Sequence, residues 1–340
     1  MSLVAEVELR AWTADRHLRH AAFRGLREDK PASEIVSEGE MNETEAAPKT
    51  RVKLTHPDRL YWPDSGVTKE GLAGYYSGVW RPIGPFLVNR PLALLRCPSG
   101  FDGGCFFQKH AWDGLSKSIR LSPDPADKKA EKLLSLDDLD GLIGLVQGGV
   151  LEIHPWGATL DAIEQPDFIT MDLDPGEDVA WPAIIAAAEE IRDRLDRLGL
   201  PSFVKTSGGK GLHVVAPLKP KAEWPAVKDF AKSVAEAMAA DAPERYVAVV
   251  TKAKRKGKIL IDYLRNGRGA TAVAPYSTRA RTGAPVSMPL AWDELANCPG
   301  AAYFTVANTP TRLARQQRDP WADFRRAAVE LPDTSGKRKR

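Results

Sequence analysis

Two aspartates, Asp172 and Asp174, stand two residues apart in the run QPDFITMDLDPGE, from Gln165 to Glu177. Read as a strand, this run puts Phe168, Thr170, Asp172 and Asp174 on one face and Ile169, Met171 and Leu173 on the other, apolar face. Carboxylates so placed sit roughly 6 to 7 Å apart at their Cα atoms, near enough to converge on a shared divalent cation. Unpaired, they would repel each other. Pro175 and Gly176 stop the strand and leave Asp174 at an end that a ligand can reach. Solvated strands also carry spaced acids, so the pair takes its meaning from its company.

A third acid, Asp262, stands between Ile261 and Tyr263 in an apolar strand. A buried carboxylate is costly without a partner, so Asp262 needs either a metal or a salt bridge, for which Arg265 is at hand. Between the acids lies PSFVKTSGGKGLHVVAPL, two β-rich runs enclosing Ser207, Gly208, Gly209, Lys210 and Gly211. No helix follows these glycines, which excludes a Walker loop. Glycines let backbone N–H groups approach an anion, and Ser207, Lys210 and His213 add side-chain donors suited to a triphosphate. The plain alternative is a glycine hairpin with incidental Lys and His.

Other cations and aromatics are spaced for polyanions. Arg279 and Arg281 share a face of an extended segment and could clamp phosphates or a carboxylate. Arg59 and Lys69 flank a helix start, where a phosphate could be held by side chains and helix N-terminus together, although two solvated surface cations would look the same. Phe106 and Phe107 lie on an extended segment beside Lys109 and His110. Adjacent positions point to opposite faces, so one ring can pack inward while an exposed one offers a platform for a base.

The elements that must position these groups follow from periodicity. Thr68 is the expected N-cap of a helix carrying Leu72, Tyr75, Tyr76 and Val79 on one face. RPLALLRCP reads as a buried strand, and LEIHPWGA as a short strand with His154 near its end. WPAIIAAAEEIRDRLDRLGL is an amphipathic helix with Ile184, Ala188, Ile191, Leu195 and Leu198 inward, closed by Gly199 and Pro201. A second helix runs from Trp224 to about Ala240, and an apolar one from Leu136 to Val146 follows a charged loop. The basic run TKAKRKGK precedes the Asp262 strand.

With 340 residues the chain can bury one large or two ordinary domains. Its 48 Lys plus Arg against 45 Asp plus Glu leave a net charge of only +3, so whole-chain charge makes no case for a polyanionic partner. The three cysteines are few and unevenly spaced, which suits a reducing cytoplasm and argues against a disulfide framework. Cys97, Cys105 and His110 could supply three zinc ligands, but no C-x-x-C pair accompanies them. Neither an apolar run of membrane-spanning length nor a signal-peptide core occurs.

Together, MDLDP, SGGKGLHV and IDYLRN make the chain from about Val52 onward resemble the polymerase domain of bacterial ligase D, of the archaeo-eukaryotic primase superfamily. FRGLREDK, from Phe23 to Lys30, resembles the last basic motif of the C-terminal oligonucleotide-binding domain of ATP-dependent DNA ligases. That implies that Arg27, Asp29 and Lys30 derive from a triphosphate-facing motif. No K-x-D-G adenylation lysine occurs, so no ligase reaction is expected. The organisation expected is a ligase remnant over 1–37, a polar linker over 38–50, the polymerase over 51–332 and a basic tail over 333–340.

The fold the resemblance implies is α+β: an RRM-like antiparallel catalytic sheet backed by helices, plus a second sheet-and-helix lobe. It implies that Asp172, Asp174 and Asp262 hold two divalent ions, Mn²⁺ or Mg²⁺. Ser207, Lys210, His213, His154 and Arg279 are then contacts to an incoming NTP or dNTP, with Arg255 on a mobile loop beside them. Arg59 and Lys69 match a pocket for a DNA 5′-phosphate, with His56 where the family often has asparagine. Phe106 and Phe107, with Lys109, match a pair that stacks near the templating base, and the segment from Ala126 to Asp138 an end-synapsis loop. The implied reaction is template-directed nucleotide addition to 3′ ends and gap filling in non-homologous end joining, with Ku and a DNA ligase domain as partners. Two competing readings are a non-catalytic DNA-end alignment module and a D-x-D glycosyltransferase. The second would need neither the third acid nor the S-G-x-K-G-x-H hairpin.

Overall fold

The computed structural model describes residues 49–126, 131–251 and 255–332, together with four short strands near the N-terminus. Two compact units, Met1–Ala47 and Pro48–Arg340, make up the chain. In the first, β1 (Ala5–Glu8) pairs antiparallel with β4 (Ala22–Leu26), and β2 (Ala11–Trp12) with β3 (Leu18–Arg19). The expectations for Arg27, Asp29 and Lys30, for the linker up to residue 48 and for the basic tail lie outside the described residues.

The second unit opens with a hairpin of β5 (Leu60–Trp62) and β6 (Val67–Thr68), then α1 (Lys69–Gly78) and α2 (Trp80–Leu87). The Thr68 hydroxyl accepts from the Gly71 N–H at 3.0 Å, the expected N-cap, and Leu72, Tyr75, Tyr76 and Val79 are buried. A five-stranded antiparallel sheet follows, built from β7 (Leu92–Arg96), β8 (Phe106–Gln108), β9 (Arg120–Pro123), β10 (Lys132–Ser135) and, after α3 (Leu139–Gln147), β11 (Val150–Pro155). Strand β7 is its hub, bonded to β8, β10 and β11.

The second sheet holds the acids. It comprises β12 (Phe168–Pro175), then, after α4 (Trp181–Arg197), β13 (Phe203–Thr206) and β14 (Leu212–Pro217). After α5 (Trp224–Asp241) come β15 (Tyr246–Val247), β16 (Ile259–Asp262) and β17 (Pro289–Leu290), and a last helix, α6, spans Thr309–Arg315. The strand order is β15-β16-β12-β14-β13-β17, antiparallel except for the β15–β16 pair. Ile169, Met171 and Leu173 are fully buried in one core with Ile184, Ala188, Ile191 and Leu195 of α4 and Val227 and Ala231 of α5. Full burial of one such aliphatic side chain contributes about 1.5 to 3 kcal/mol, so the apolar face fixes the register and turns Asp172 and Asp174 the other way.

A buried ion pair ties the two sheets. Arg90, just ahead of β7 and 2% exposed, forms a two-pronged pair with Asp167, just ahead of β12. The same guanidinium lies 5.2 Å from the Phe168 ring centroid and donates to the Trp156 carbonyl at 3.4 Å.

Several expectations are corrected. The charged stretch before Leu136 is a β9–β10 hairpin rather than a plain loop, with residues 127–130 outside the described residues. The following helix starts at Leu139, because Leu136 is held in a bridge with Val88 and the Asp138 carboxylate caps the Gly141 N–H at 3.0 Å. Leu198 lies beyond the last turn of α4 and is exposed. Cys97 and Cys105 are disulfide-bonded: β7 and β8 pair as neighbours, and the residues just beyond Arg96 and before Phe106 face each other. A bonded pair has no thiolates to offer zinc, and His110 instead lies 3.0 Å from Glu131. Phe106 and Phe107 are both exposed, and among the described residues neither ring belongs to a core cluster.

Candidate active site

The acids meet because of strand register. Asp172 lies opposite Asp262 on one side and His213 on the other, and His213 lies opposite Lys205. Four polar side chains from β16, β12, β14 and β13 thus form a row across one face of the sheet. His213 Nε2 is 3.4 Å from Asp172 Oδ1. Asp174, two residues along, continues the face at the end of β12.

The IDYLRN motif bends the chain back over this row. The Leu264 N–H donates to Asp262 Oδ1 at 2.8 Å, and the Asn266 side chain bonds the N–H and carbonyl of Thr170, each at 2.8 Å, beyond the reach of β16. That turn sets Arg265 Nε 3.2 Å from Asp172 and 3.3 Å from Asp262, while Arg255 pairs with Asp174. The salt bridge foreseen for Asp262 is therefore present, shared with Asp172. Burial drives the Asp172 carboxyl up to about 6, with Arg265 opposing and the other two acids adding to the rise.

Among the described residues no group of three or more His, Cys, Asp or Glu is gathered as closed metal ligands, and the acids face guanidiniums. Three carboxylates on one face nevertheless concentrate negative charge, with oxygen donors of the kind Mg²⁺ and Mn²⁺ take. One of them is strongly desolvated, so its ionised form depends on positive charge close by, which Arg265 supplies here and a divalent ion could supply in its place. The residues fit hard divalent cations.

Lys205, which sequence reasoning missed, is 2% exposed. Its Nζ donates to Ser287 Oγ at 2.7 Å and lies 3.0 Å from His213 Nδ1. Burial, and then Arg279, hold this ammonium well below the ordinary lysine range; burial, then Lys205, lower His213. A lysine donor on Nδ1 leaves the ring proton on Nε2, toward Asp172.

The glycine hairpin works differently from the expected cradle. Ser207 Oγ accepts from the N–H groups of Gly209 at 3.2 Å and Gly211 at 3.1 Å, so these two donors turn inward. Gly211 is required for packing: a Cβ there would lie 1.8 Å from the Leu173 carbonyl oxygen, between the two acids. Gly176 likewise lets the Arg255 carbonyl approach to 2.0 Å of where a Cβ would stand. Overpacking of this kind costs about 1 to 3 kcal/mol or more. Gly211→Ala should lower the denaturant midpoint accordingly and depress activity; a variant as stable as the parent chain would contradict the close approach.

Glu152 was also missed, although its i, i+2 relation to His154 in LEIHP places both on one strand face. It joins His154 and Arg279, and Arg279 donates to the Ser207 carbonyl. Lys210 is exposed at the hairpin tip. The second cationic group gathers at the start of α1. Lys69 is 3% exposed and donates to the Thr55 carbonyl at 2.8 Å and Gln147 Oε1 at 3.1 Å, both neutral partners. Burial, then the Arg59 charge, lowers its affinity for a proton. Arg59 donates to the Pro98 carbonyl at 2.9 Å, and the exposed His56 adopts φ 50° in the turn between them. Phe107 meets the His154 ring edge-on at 5.4 Å, Phe106 lies 5.5 Å from the Arg96 guanidinium, and Lys109 is exposed.

Residues 68–321 match the family described as LigD, primase-polymerase domain, and residues 2–30 match the ATP dependent DNA ligase C terminal region. The chain is 39% identical over 335 residues to the multifunctional non-homologous end joining protein LigD of Pseudomonas aeruginosa, covering 94% of this chain and 40% of that protein. It is 32% identical over 281 residues to the corresponding DNA repair protein of Mycobacterium tuberculosis, covering 79% of this chain and 36% of that one. It thus spans 40% or less of these two relatives. The polymerase domain of M. tuberculosis ligase D, solved in complex with DNA, superposes with a TM-score of 0.75 at 28% identity, over 82% of this chain and all of that one. These matches leave no place for the glycosyltransferase reading. The chain belongs to the LigD primase-polymerase family of DNA-directed nucleotidyltransferases and carries, ahead of that domain, a segment of the ligase C-terminal region.

Proposed function

We propose that this chain fills gaps and extends 3′ ends at broken DNA in non-homologous end joining, adding NTPs or dNTPs as the template directs. The observation that carries this is the row Asp262, Asp172 and His213 with Asp174 beside it, on the face of β12 turned away from the Ile169, Met171 and Leu173 core. Two divalent ions, Mn²⁺ or Mg²⁺, held by the three acids would activate the primer 3′-hydroxyl and neutralise the leaving pyrophosphate. His213 Nε2–H, Lys210 and Arg279 supply donors for the triphosphate, Ser207 shapes the loop, and His154 and Arg255 flank it. Arg279 suits this role because its guanidinium is held against the hairpin by its bond to the Ser207 carbonyl. The exposed Phe106 and Phe107 offer ring faces to bases, with Lys109 near the strand.

His56, Arg59 and Lys69 form the proposed 5′-phosphate pocket. A buried ammonium whose partners among the described residues are neutral gains most from an anion. Lys69→Ala should weaken binding to a gapped duplex about tenfold when the downstream end carries a 5′-phosphate, and leave the unphosphorylated duplex unchanged. Equal loss on both, by fluorescence anisotropy, would contradict the pocket. Ku and a DNA ligase domain are the proposed partners, and the bacterial nucleoid in the cytoplasm the proposed place of action. Among the described residues no helix is long and apolar enough to cross a membrane.

A further inference from the structure

We propose that Glu152 is a positioning residue that sets His154 and Arg279 against the incoming nucleotide and fixes the spacing between the two sheets at that point; this rests on reading those two residues as nucleotide contacts. Glu152 lies on β11 of the first sheet and is 4% exposed. Its Oε2 accepts from His154 Nε2 at 2.9 Å and is 3.0 Å from Arg279 Nε. Its Oε1 accepts from the Ala280 N–H at 2.9 Å. Arg279 in turn donates to the Ser207 carbonyl in the hairpin of the second sheet, and His154 meets Phe107 on β8. One carboxylate therefore stands at the centre of a chain of contacts running from the exposed aromatic pair to the triphosphate hairpin.

The contact to Arg279 is ionic rather than hydrogen-bonded, since the Nε–H is not aimed at Glu152. A charge placed so holds the guanidinium in position on the side turned away from the hairpin. The ring of His154 is treated differently: its Nε2–H is spent on Glu152, which fixes the plane of the imidazole. Burial pushes the Glu152 carboxyl up, but the His154 hydrogen bond and the Arg279 charge outweigh it and hold the carboxyl at about 2, so the acid is ionised at any working pH. Enclosed by these partners, it acts through them and does not touch the nucleotide.

The test is steady-state extension of a gapped duplex with varied NTP, for Glu152→Gln, Glu152→Asp, His154→Ala, Arg279→Ala and the Glu152→Gln, Arg279→Ala double variant. Glu152→Gln should raise the KM for NTP roughly tenfold to a hundredfold while the Kd for DNA stays within about twofold. Glu152→Asp, which keeps the charge, should recover part of the loss. The double variant should raise KM by less than the product of the two single effects, the part beyond Arg279→Ala alone being the share carried through His154. A lowered Tm with unchanged KM in Glu152→Gln would show a structural role only and overturn the proposal. If Glu152→Gln shows no cooperative unfolding transition, Glu152→Asp decides: a raised KM supports the proposal and an unchanged one overturns it. If His154→Ala and Arg279→Ala leave KM unchanged, the nucleotide-site reading itself fails, and this inference with it; if they raise KM and both Glu152 variants do not, this inference alone fails.

Discussion

Replacing Asp172 and Asp174 together by alanine is expected to lower primer extension by at least roughly a thousandfold, with DNA affinity within about twofold of the parent chain. The magnitude follows from losing several kcal/mol of charge stabilisation at the reacting oxygens, at 1.36 kcal/mol per tenfold in rate. DNA affinity survives because the proposed DNA contacts lie elsewhere, at Lys69 and the exposed phenylalanines. Stability survives as well. Burial raises the Asp172 carboxyl to about 6, so the folded chain binds its proton more tightly than the unfolded chain does. The side chain therefore contributes less stability as pH rises through that range, and its ionised form at neutral pH is a cost that alanine removes. Against this, Arg265 and Arg255 lose partners, but both reach solvent. A double variant that still extends primers at more than about a tenth of the parent rate would remove the acids from the chemistry.

The second large effect concerns the joint between the sheets. Asp167→Ala leaves the Arg90 guanidinium buried without a counter-ion, and breaking a buried pair from one side costs about 3 to 5 kcal/mol. The urea midpoint should fall by that amount divided by the slope, with the slope unchanged. Replacing both partners together, Arg90→Met with Asp167→Ala, should cost less than the single change, because no charge is then stranded. A single variant within about 1 kcal/mol of the parent chain would show that the pair is solvated and does not clamp the sheets.

How much of this was readable in advance depended on whether a signal was local. Strand β12 announced itself because alternation and burial coincide: Ile169, Met171 and Leu173 are all in the core. The α1 cap, the amphipathic helix α4 and the β13–β14 hairpin were readable for the same reason, each having its period and its stop signal within one stretch. The β9–β10 pairing was hidden because the sequence between the two strands is polar and charged and the strands themselves carry only Leu121, Leu133 and Leu134 as large apolar residues. The Cys97–Cys105 bond depends on β7 and β8 pairing as neighbours, a fact of register that spacing alone does not supply. Local alternation failed for Phe106 and Phe107, since it takes for granted that one face of the strand is covered.

At the site, the residues named from sequence were those whose types and spacing suit a ligand; the ones missed are buried charges that pair with other residues. Lys205 and Glu152 are buried charges: the partners of Lys205, His213 and Ser287, and Arg279 beside Glu152 come from other strands and loops, while His154 is a neighbour of Glu152 on β11. Apart from that i, i+2 relation, their roles follow from tertiary pairing. The hairpin glycines were readable as necessary but for another reason, Gly211 admitting the Leu173 carbonyl rather than presenting its N–H to an anion.

The most direct measurement is single-nucleotide addition on four gapped duplexes that differ only in the templating base, each offered all four nucleotides singly, as ribo- and deoxy- forms, in Mn²⁺ and in chelator, beside the Asp172→Ala, Asp174→Ala variant. Addition of the complementary nucleotide in each duplex, present with the ion and lost in chelator and in the variant, is the result expected. Tight binding to the phosphorylated gap with no addition under any condition would contradict polymerase chemistry and leave an end-alignment protein.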